Sequence, residues 1–432
     1  MDEKKIKLHK TKVLAKQNLC RSVISINNSL GEEVNDKDND YLTFGVKNTV
    51  DIPISLVDKL RKNSKYLFAT IDKMSHLGRS IDTDLINPLT YRCMTGSSSG
   101  TAINILKGIN DFGIGTDGGG SVLAPALSTN LYSFIGSGVG LVTGKESLSI
   151  DSISFTGGIG VISKSFHILK DVVEEILEKK IKYSEDKIRV LIPKNNSIVL
   201  PDGMDMRLEI DKAINYINEN SNMMDKLRDN QWDSLVDEDR ENLVDKAVEK
   251  LEENLEDKFK NDPEQKLMTK LEDSLVDKSA KDKASSENIK AKFEFIEYSF
   301  DNIYERNIAI KEIKNIFNND IADIILTYEG PIDVYGYDET IQRSFKGKAE
   351  KEITSNGGKG IVKAINMCKC TGITIPGEKL ASGFVICANE GMEGLINAFI
   401  LGKIIEESIE KNEIFNRYFI DREKFVEPIK IL

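Results

Sequence analysis

Apolar and polar positions follow three different rhythms along this chain. From about residue 41 to 175, short apolar segments are separated by turns rich in Gly, Ser and Thr. Gly45-Val46-Lys47 and Tyr66-Leu67-Phe68-Ala69 read as short strands that run into loops. Thr101 to Lys107 reads as a helix behind a polar cap. From about 203 to 290 the rhythm becomes helical. Leu243, Ala247, Val248, Leu251, Leu255 and Phe259 fall on one stripe, and Leu267, Leu271 and Leu275 on another beyond Pro263. Glycine is missing after Gly203 in this zone, and its charges are mixed, as on a solvated helix face. From about 291 the α/β pattern returns. Ala322–Thr327 and Gly383–Cys387 read as buried strands, and Glu393 to Glu407 as a helix with Leu395, Phe399 and Ile404 on its apolar face.

Neither outer zone alone offers a balanced set of strands and helices, so the two are expected to form one α/β domain. The expected organisation is a single domain over 1–432 that carries an acidic helical insertion at 205–285. The insertion reads either as a surface for a protein partner or for self-association, or as a solvated decoration.

Charge narrows the function classes. Fifty-nine Lys and Arg stand against 70 Asp and Glu, a net charge of −11. That balance excludes a general nucleic-acid binder, which needs a basic face, and disfavours anionic membrane surfaces. No apolar run is long enough to span a bilayer, and the polar start is no secretory signal, so a cytoplasmic location is expected. The five cysteines are odd in number and scattered, which suits a reducing compartment. Cys368-Lys369-Cys370 has no second cluster nearby, so no metal site is expected, and no cofactor. His9, His76 and His167 all lie outside any glycine-rich context. A hydrolase built on this chain is therefore expected to work without histidine.

The candidate chemistry lies in Thr95-Gly96-Ser97-Ser98-Ser99-Gly100-Thr101 and in Gly115-Thr116-Asp117-Gly118-Gly119-Gly120-Ser121. Three glycines before a serine allow a tight turn with uncovered N–H groups that can hold an oxyanion. Ser121 at the end of that turn is placed to attack the same carbonyl. Ser97 and Ser98 lie in a second glycine-flanked loop suited to passing a proton. Lys47 ends an apolar strand, where desolvation favours a neutral amine. The Gly113-x-Gly115-x-x-Gly118 spacing also matches a dinucleotide fingerprint formally. Pro125 interrupts the required helix, however, and no acidic residue follows until Glu146.

These two segments resemble the signature of the amidase-signature family, which includes fatty-acid amide hydrolases, bacterial amidases and the A subunit of the glutamyl-tRNA amidotransferase. The resemblance implies a central twisted mixed sheet flanked by helices. It also implies hydrolysis of a carboxylic amide, or an ester, through an acyl-enzyme on a Ser-cisSer-Lys triad. Ser121 matches the nucleophile, Ser97 the bridging serine that the family holds by a cis peptide, and Lys47 the base. The amides of Gly118, Gly119 and Gly120 match the oxyanion hole, and Ser98 is assigned to substrate binding. The expected partner is a small-molecule amide.

The chain departs from the pattern at several points. Ser99 replaces a glycine, Leu123 an arginine, Gly157 an aspartate, and Asn48 the aspartate after the lysine. Two alternatives follow: a catalytically silent amidase fold used as a binding or assembly module, and an amidotransferase A-type subunit.

Overall fold

The computed structural model describes residues 3–149, 152–182, 187–219, 292–337, 347, 356–410, 412 and 415–420. The chain opens with α1 (Glu3–Gln17), β1 (Val23–Ile26), α2 (Leu30–Glu33), β2 (Leu42–Lys47), α3 (Ile54–Lys62) and β3 (Tyr66–Asp72). Strands β4 (Ile81–Ile86) and β5 (Cys93–Thr95) form a separate antiparallel pair that leads into α4 (Ser99–Leu106). Next come β6 (Phe112–Asp117), α5 (Leu123–Ser128), β7 (Tyr132–Ile135), β8 (Val142–Leu148), β9 (Ser154–Ser163) and α6 (Phe166–Leu177). The second half contributes β10 (Ile188–Pro193), α7 (Arg207–Glu219), β11 (Phe293–Tyr298) and α8 (Arg306–Asn318). It ends with β12 (Ile324–Glu329), β13 (Thr371–Pro376), β14 (Gly383–Ala388) and α9 (Met392–Ser408).

Twelve strands make one mixed sheet in the order β1-β3-β2-β6-β9-β7-β13-β14-β12-β10-β11, with β8 on β9. β3, β2 and β6 run parallel, the run from β6 to β12 is antiparallel, and β10 is again parallel to β12. The expected mixed α/β architecture with flanking helices is the observed one. β12 and β14 are buried along their whole length, as near-continuous apolar runs covered on both faces require. α9 packs on β13 and β14, and α6 on β9. Helix α6 begins where the Ser165 hydroxyl accepts the Ile168 amide, the usual N-cap contact.

Helix α4 is the central strut. All eight of its residues are buried, and Ala102, Ile103 and Ile105 pack with Met94, Val122, Ala126 and Ile162. Two of its polar side chains bond to neighbouring segments: Ser99 Oγ donates to Asp82, and Asn104 Nδ2 donates to Asp72 and to the Ser22 carbonyl. A helix this deeply buried fixes its own N-terminus, and with it the serine loop, against the sheet.

The backbone divides into two compact units. The first comprises 1–181, 188–214 and 294–432; the second comprises 182–187 and 215–293. Of the insertion predicted at 205–285, α7 is helical, while residues 220–285, including both leucine-rich stripes, lie outside the described residues. Every candidate site residue belongs to the first unit.

Candidate active site

Lys47 closes β2, and the strand holds it by packing: Phe44 stacks on Phe112 of β6 with ring centroids 5.3 Å apart. The lysine is 3% exposed. Its Nζ lies 2.6 Å from Ser97 Oγ, 2.8 Å from Thr116 Oγ1 and 3.1 Å from the Thr116 carbonyl. Burial pulls its pKa down to about 8, against the opposing pull of Asp117 and Asp51. A neutral amine has two hydrogens and one lone pair. The two Thr116 oxygens and the Ser97 hydroxyl match that set, with Ser97 then the donor.

The serine loop crosses directly under the turn that carries Ser121. Gly96 sits at φ +69°, and a methyl group there would lie 2.6 Å from Pro125 Cδ and 3.3 Å from Ser121 Cα. Only glycine allows both the left-handed turn and that approach. The Ser97 amide then donates to Ser121 Oγ at 3.2 Å, and the Ser98 amide to the Ser121 carbonyl at 3.1 Å. The cis peptide expected at Ser97 is not present. Among the described residues the cis bond is Gly330–Pro331, and the left-handed Gly96 makes the turn instead.

Two further expectations change. Ser98, assigned to substrate binding, is fully buried, with its Oγ directed at Gly115 of β6 and without a hydrogen-bond partner. Of the three oxyanion amides, Gly120 donates to Asp117 Oδ1 at 2.6 Å, while Val122 donates to Asp117 Oδ2 at 2.6 Å. The engaged Gly120 amide shifts the candidate oxyanion set toward Gly118 and Gly119.

Asp117 and Thr116 are the site residues that sequence reasoning passed over. Asp117 is fully buried; desolvation pushes its carboxyl up, and the amides of Val122, Gly120 and Leu123 pull it back. An aspartate immediately before three glycines is a turn signal, because its side chain can bond backbone amides a few residues on. The surroundings come from remote segments. A methyl on Gly118 would meet the Phe155 ring at 2.5 Å; one on Gly119 would lie 3.4 Å from Met367 Cε and 3.6 Å from an Arg306 guanidinium nitrogen. None of the three histidines appears among the contacts of Ser121 or Lys47.

The departures are accommodated locally. Ser99 Oγ donates to Asp82 Oδ2 at 2.6 Å, beside Lys73, which holds the same carboxylate at 2.8 Å. Leu123, in place of an arginine, is completely buried, with its Cδ1 facing Gly372. A methyl on Gly157 would press on Thr143 at 3.0 Å.

No protein-family model matches the chain, and no curated protein sequence does. Solved structures do. A 6-aminohexanoate cyclic dimer hydrolase complexed with substrate is similar at a TM-score of 0.53 and 12% identity, covering 95% of each chain. An amidase is similar at 0.52 and 15% identity, covering 94% of this chain and 96% of that one. The Kluyveromyces lactis allophanate hydrolase is similar at 0.50 and 14% identity, covering 97% of this chain and 73% of that one. The chain thus has the fold of the amidase-signature enzymes, an amidase-type hydrolase fold in divergent form.

Proposed function

We propose that this protein is an amide hydrolase in which Ser121 is the nucleophile, Ser97 the proton bridge and Lys47 the base. The observation that carries this reading is a pair of contacts that bring the three residues together: the Ser97 hydroxyl lies 2.6 Å from Lys47 Nζ, and the Ser97 amide donates to the Ser121 hydroxyl at 3.2 Å and so positions it. Ser121 is half-buried, whereas Lys47 and Ser97 are buried, which fits Ser121 as the member of the three that meets substrate.

In this mechanism the Ser121 oxygen attacks the amide carbonyl and its proton passes through Ser97 to neutral Lys47. The negative oxygen of the tetrahedral intermediate is held by the amides of Gly118 and Gly119. Collapse breaks the C–N bond, and the proton returns along the same path to the leaving amine. Water then attacks the acyl-enzyme, the same relay takes its proton, and the acid is released with Ser121 restored. Because burial favours the neutral amine, no histidine is needed. Small-molecule amides, linear or cyclic, are the substrate class this reading supports.

The test is labelling with short- and long-chain fluorophosphonates, mapped by peptide mass spectrometry. The adduct is expected on Ser121, lost in Ser121→Ala and strongly slowed in Lys47→Ala. Folded protein that no probe labels would overturn the hydrolase reading in favour of a silent amidase fold.

A further inference from the structure

Glu329, at the end of the fully buried β12, is itself completely buried. A carboxylate in such a strand costs several kcal/mol unless its oxygens are satisfied, and no lysine or arginine forms an ion pair with it among the described residues. Its partners are backbone amides. Gly360 N donates to Oε2 at 2.5 Å, Val362 N to Oε1 at 3.2 Å, and the Thr327 hydroxyl also to Oε1 at 3.1 Å. Gly360 permits this approach, since a methyl there would stand 3.0 Å from the carboxyl carbon. The segment held in this way reaches the active site within one residue. A methyl on Gly120 would lie 3.2 Å from the Val362 carbonyl oxygen and 3.4 Å from Lys363 Cα, and one on Gly119 would lie 3.4 Å from the Lys363 carbonyl.

We propose that Glu329 is a positioning residue for the oxyanion turn: its carboxylate anchors residues 360–363, whose backbone buttresses Gly119 and Gly120. This inference rests on the amidase reading for its catalytic consequence, but the anchoring itself does not. The charged and titratable groups facing the carboxylate are Lys363 on the anchored segment and Cys387 on the neighbouring β14. A buried Asp333–Lys359 ion pair (2.9 Å) lies next to the anchored segment in sequence. Burial pushes the Glu329 carboxyl up to about 7, with the amides, Thr327 and Lys363 opposing. The ionised form accepts both amides. The protonated form gives up one acceptor to an O–H, so the anchor weakens as pH falls through about 7. Lys47 must also be deprotonated, and its pKa lies near 8. Ser121 acylation should therefore lose rate on the acid side in two steps rather than one.

Two measurements test the proposal. The first is fluorophosphonate labelling of Ser121 across the pH range in wild type and Glu329→Gln, an isostere with one acceptor and no titration. The expected result is a fall of about ten-fold in maximal acylation rate, smaller than loss of an oxyanion donor itself. The acid limb should keep only the Lys47 step, and probe affinity should change little. A Glu329→Gln rate and pH profile equal to wild type would overturn the proposal. The second is hydrogen exchange at the Gly360 and Val362 amides in wild type, corrected for intrinsic pH dependence. Protection that falls below about pH 7 is expected; protection that is unchanged overturns the anchoring even if the variant does not fold. If wild type is never labelled, the hydrolase reading fails, and exchange alone decides whether Glu329 holds the loop.

Discussion

Two buried carboxylates hold backbone amides around the Ser121 turn, and they do so at opposite ranges. Asp117 reaches Gly120 and Val122, three and five residues ahead in its own turn. Glu329 reaches Gly360 and Val362, more than thirty residues further along the chain. The first shapes the turn that carries Ser121; the second holds the segment that lies against that turn. A local carboxylate sets a conformation the chain can adopt by itself, whereas a remote one supports it only once the rest of the fold is assembled. If this division is right, damage to the local device should cost more activity than damage to the remote one.

The largest effect should come from the proposed base, which neither carboxylate holds by a hydrogen bond. Lys47→Ala should slow acylation of Ser121 by about 10²–10⁴-fold, the usual worth of a positioned base, as measured by labelling rate. In wild type the rate should rise with pH through about 8, because burial lowers the lysine and only its neutral form accepts a proton. A profile already flat above pH 6 would remove Lys47 as the base. Asp117→Asn comes next. The amide keeps one acceptor and turns an NH2 group toward backbone N–H donors, so one buried donor loses its partner at a cost of about 1–3 kcal/mol. Chemical denaturation should show that loss, and acylation should fall further than in Glu329→Gln. The reverse order would break the comparison between local and remote supports.

Gly120→Ala should be milder in stability. The residue sits at φ +93°, where an L side chain costs roughly 1–2 kcal/mol, and its methyl would approach the Val362 carbonyl at 3.2 Å. Because that contact belongs to the Glu329-held segment, the effects of Gly120→Ala and Glu329→Gln should not add. Full additivity in a double-mutant cycle would place the two in separate networks.

The same contrast separates what the sequence discloses from what it does not. Lys47 at a strand end, Ser97 in the loop before α4 and Ser121 after three glycines were readable, because strand periodicity and turn residues are local signals. The strand and helix of the last zone were readable for the same reason: β14 and α9 lie within a residue or two of their expected bounds. Asp117 was within reach, being an acidic residue beside its own turn. Phe155, Met367 and Arg306 were not, since nothing near them in the chain says that the fold returns them to Gly118 and Gly119, and nothing near Glu329 says that it meets Gly360 and Val362. The burial of Ser98 was not legible either, for a related reason. The residue shares the composition of its loop, but which side of the backbone faces the substrate is decided by packing against β6.

The position of Ser98 makes the smallest prediction the most discriminating one for the loop. Ser98 Oγ is buried, has no hydrogen-bond partner and points at Gly115. Replacing an unsatisfied buried hydroxyl with a methyl removes a desolvated group and leaves only a small space, so Ser98→Ala should be neutral or stabilising by up to about 1 kcal/mol. The backbone contact that matters, the Ser98 amide to the Ser121 carbonyl at 3.1 Å, survives the change. Ser97→Ala, one residue earlier, deletes the hydroxyl against Lys47 and should abolish rapid labelling. Adjacent serines in one loop should thus differ by orders of magnitude in acylation rate while differing little in stability. Substantial loss of activity in Ser98→Ala would mean that its side chain turns toward the substrate, and that the loop is oriented as its composition first suggested.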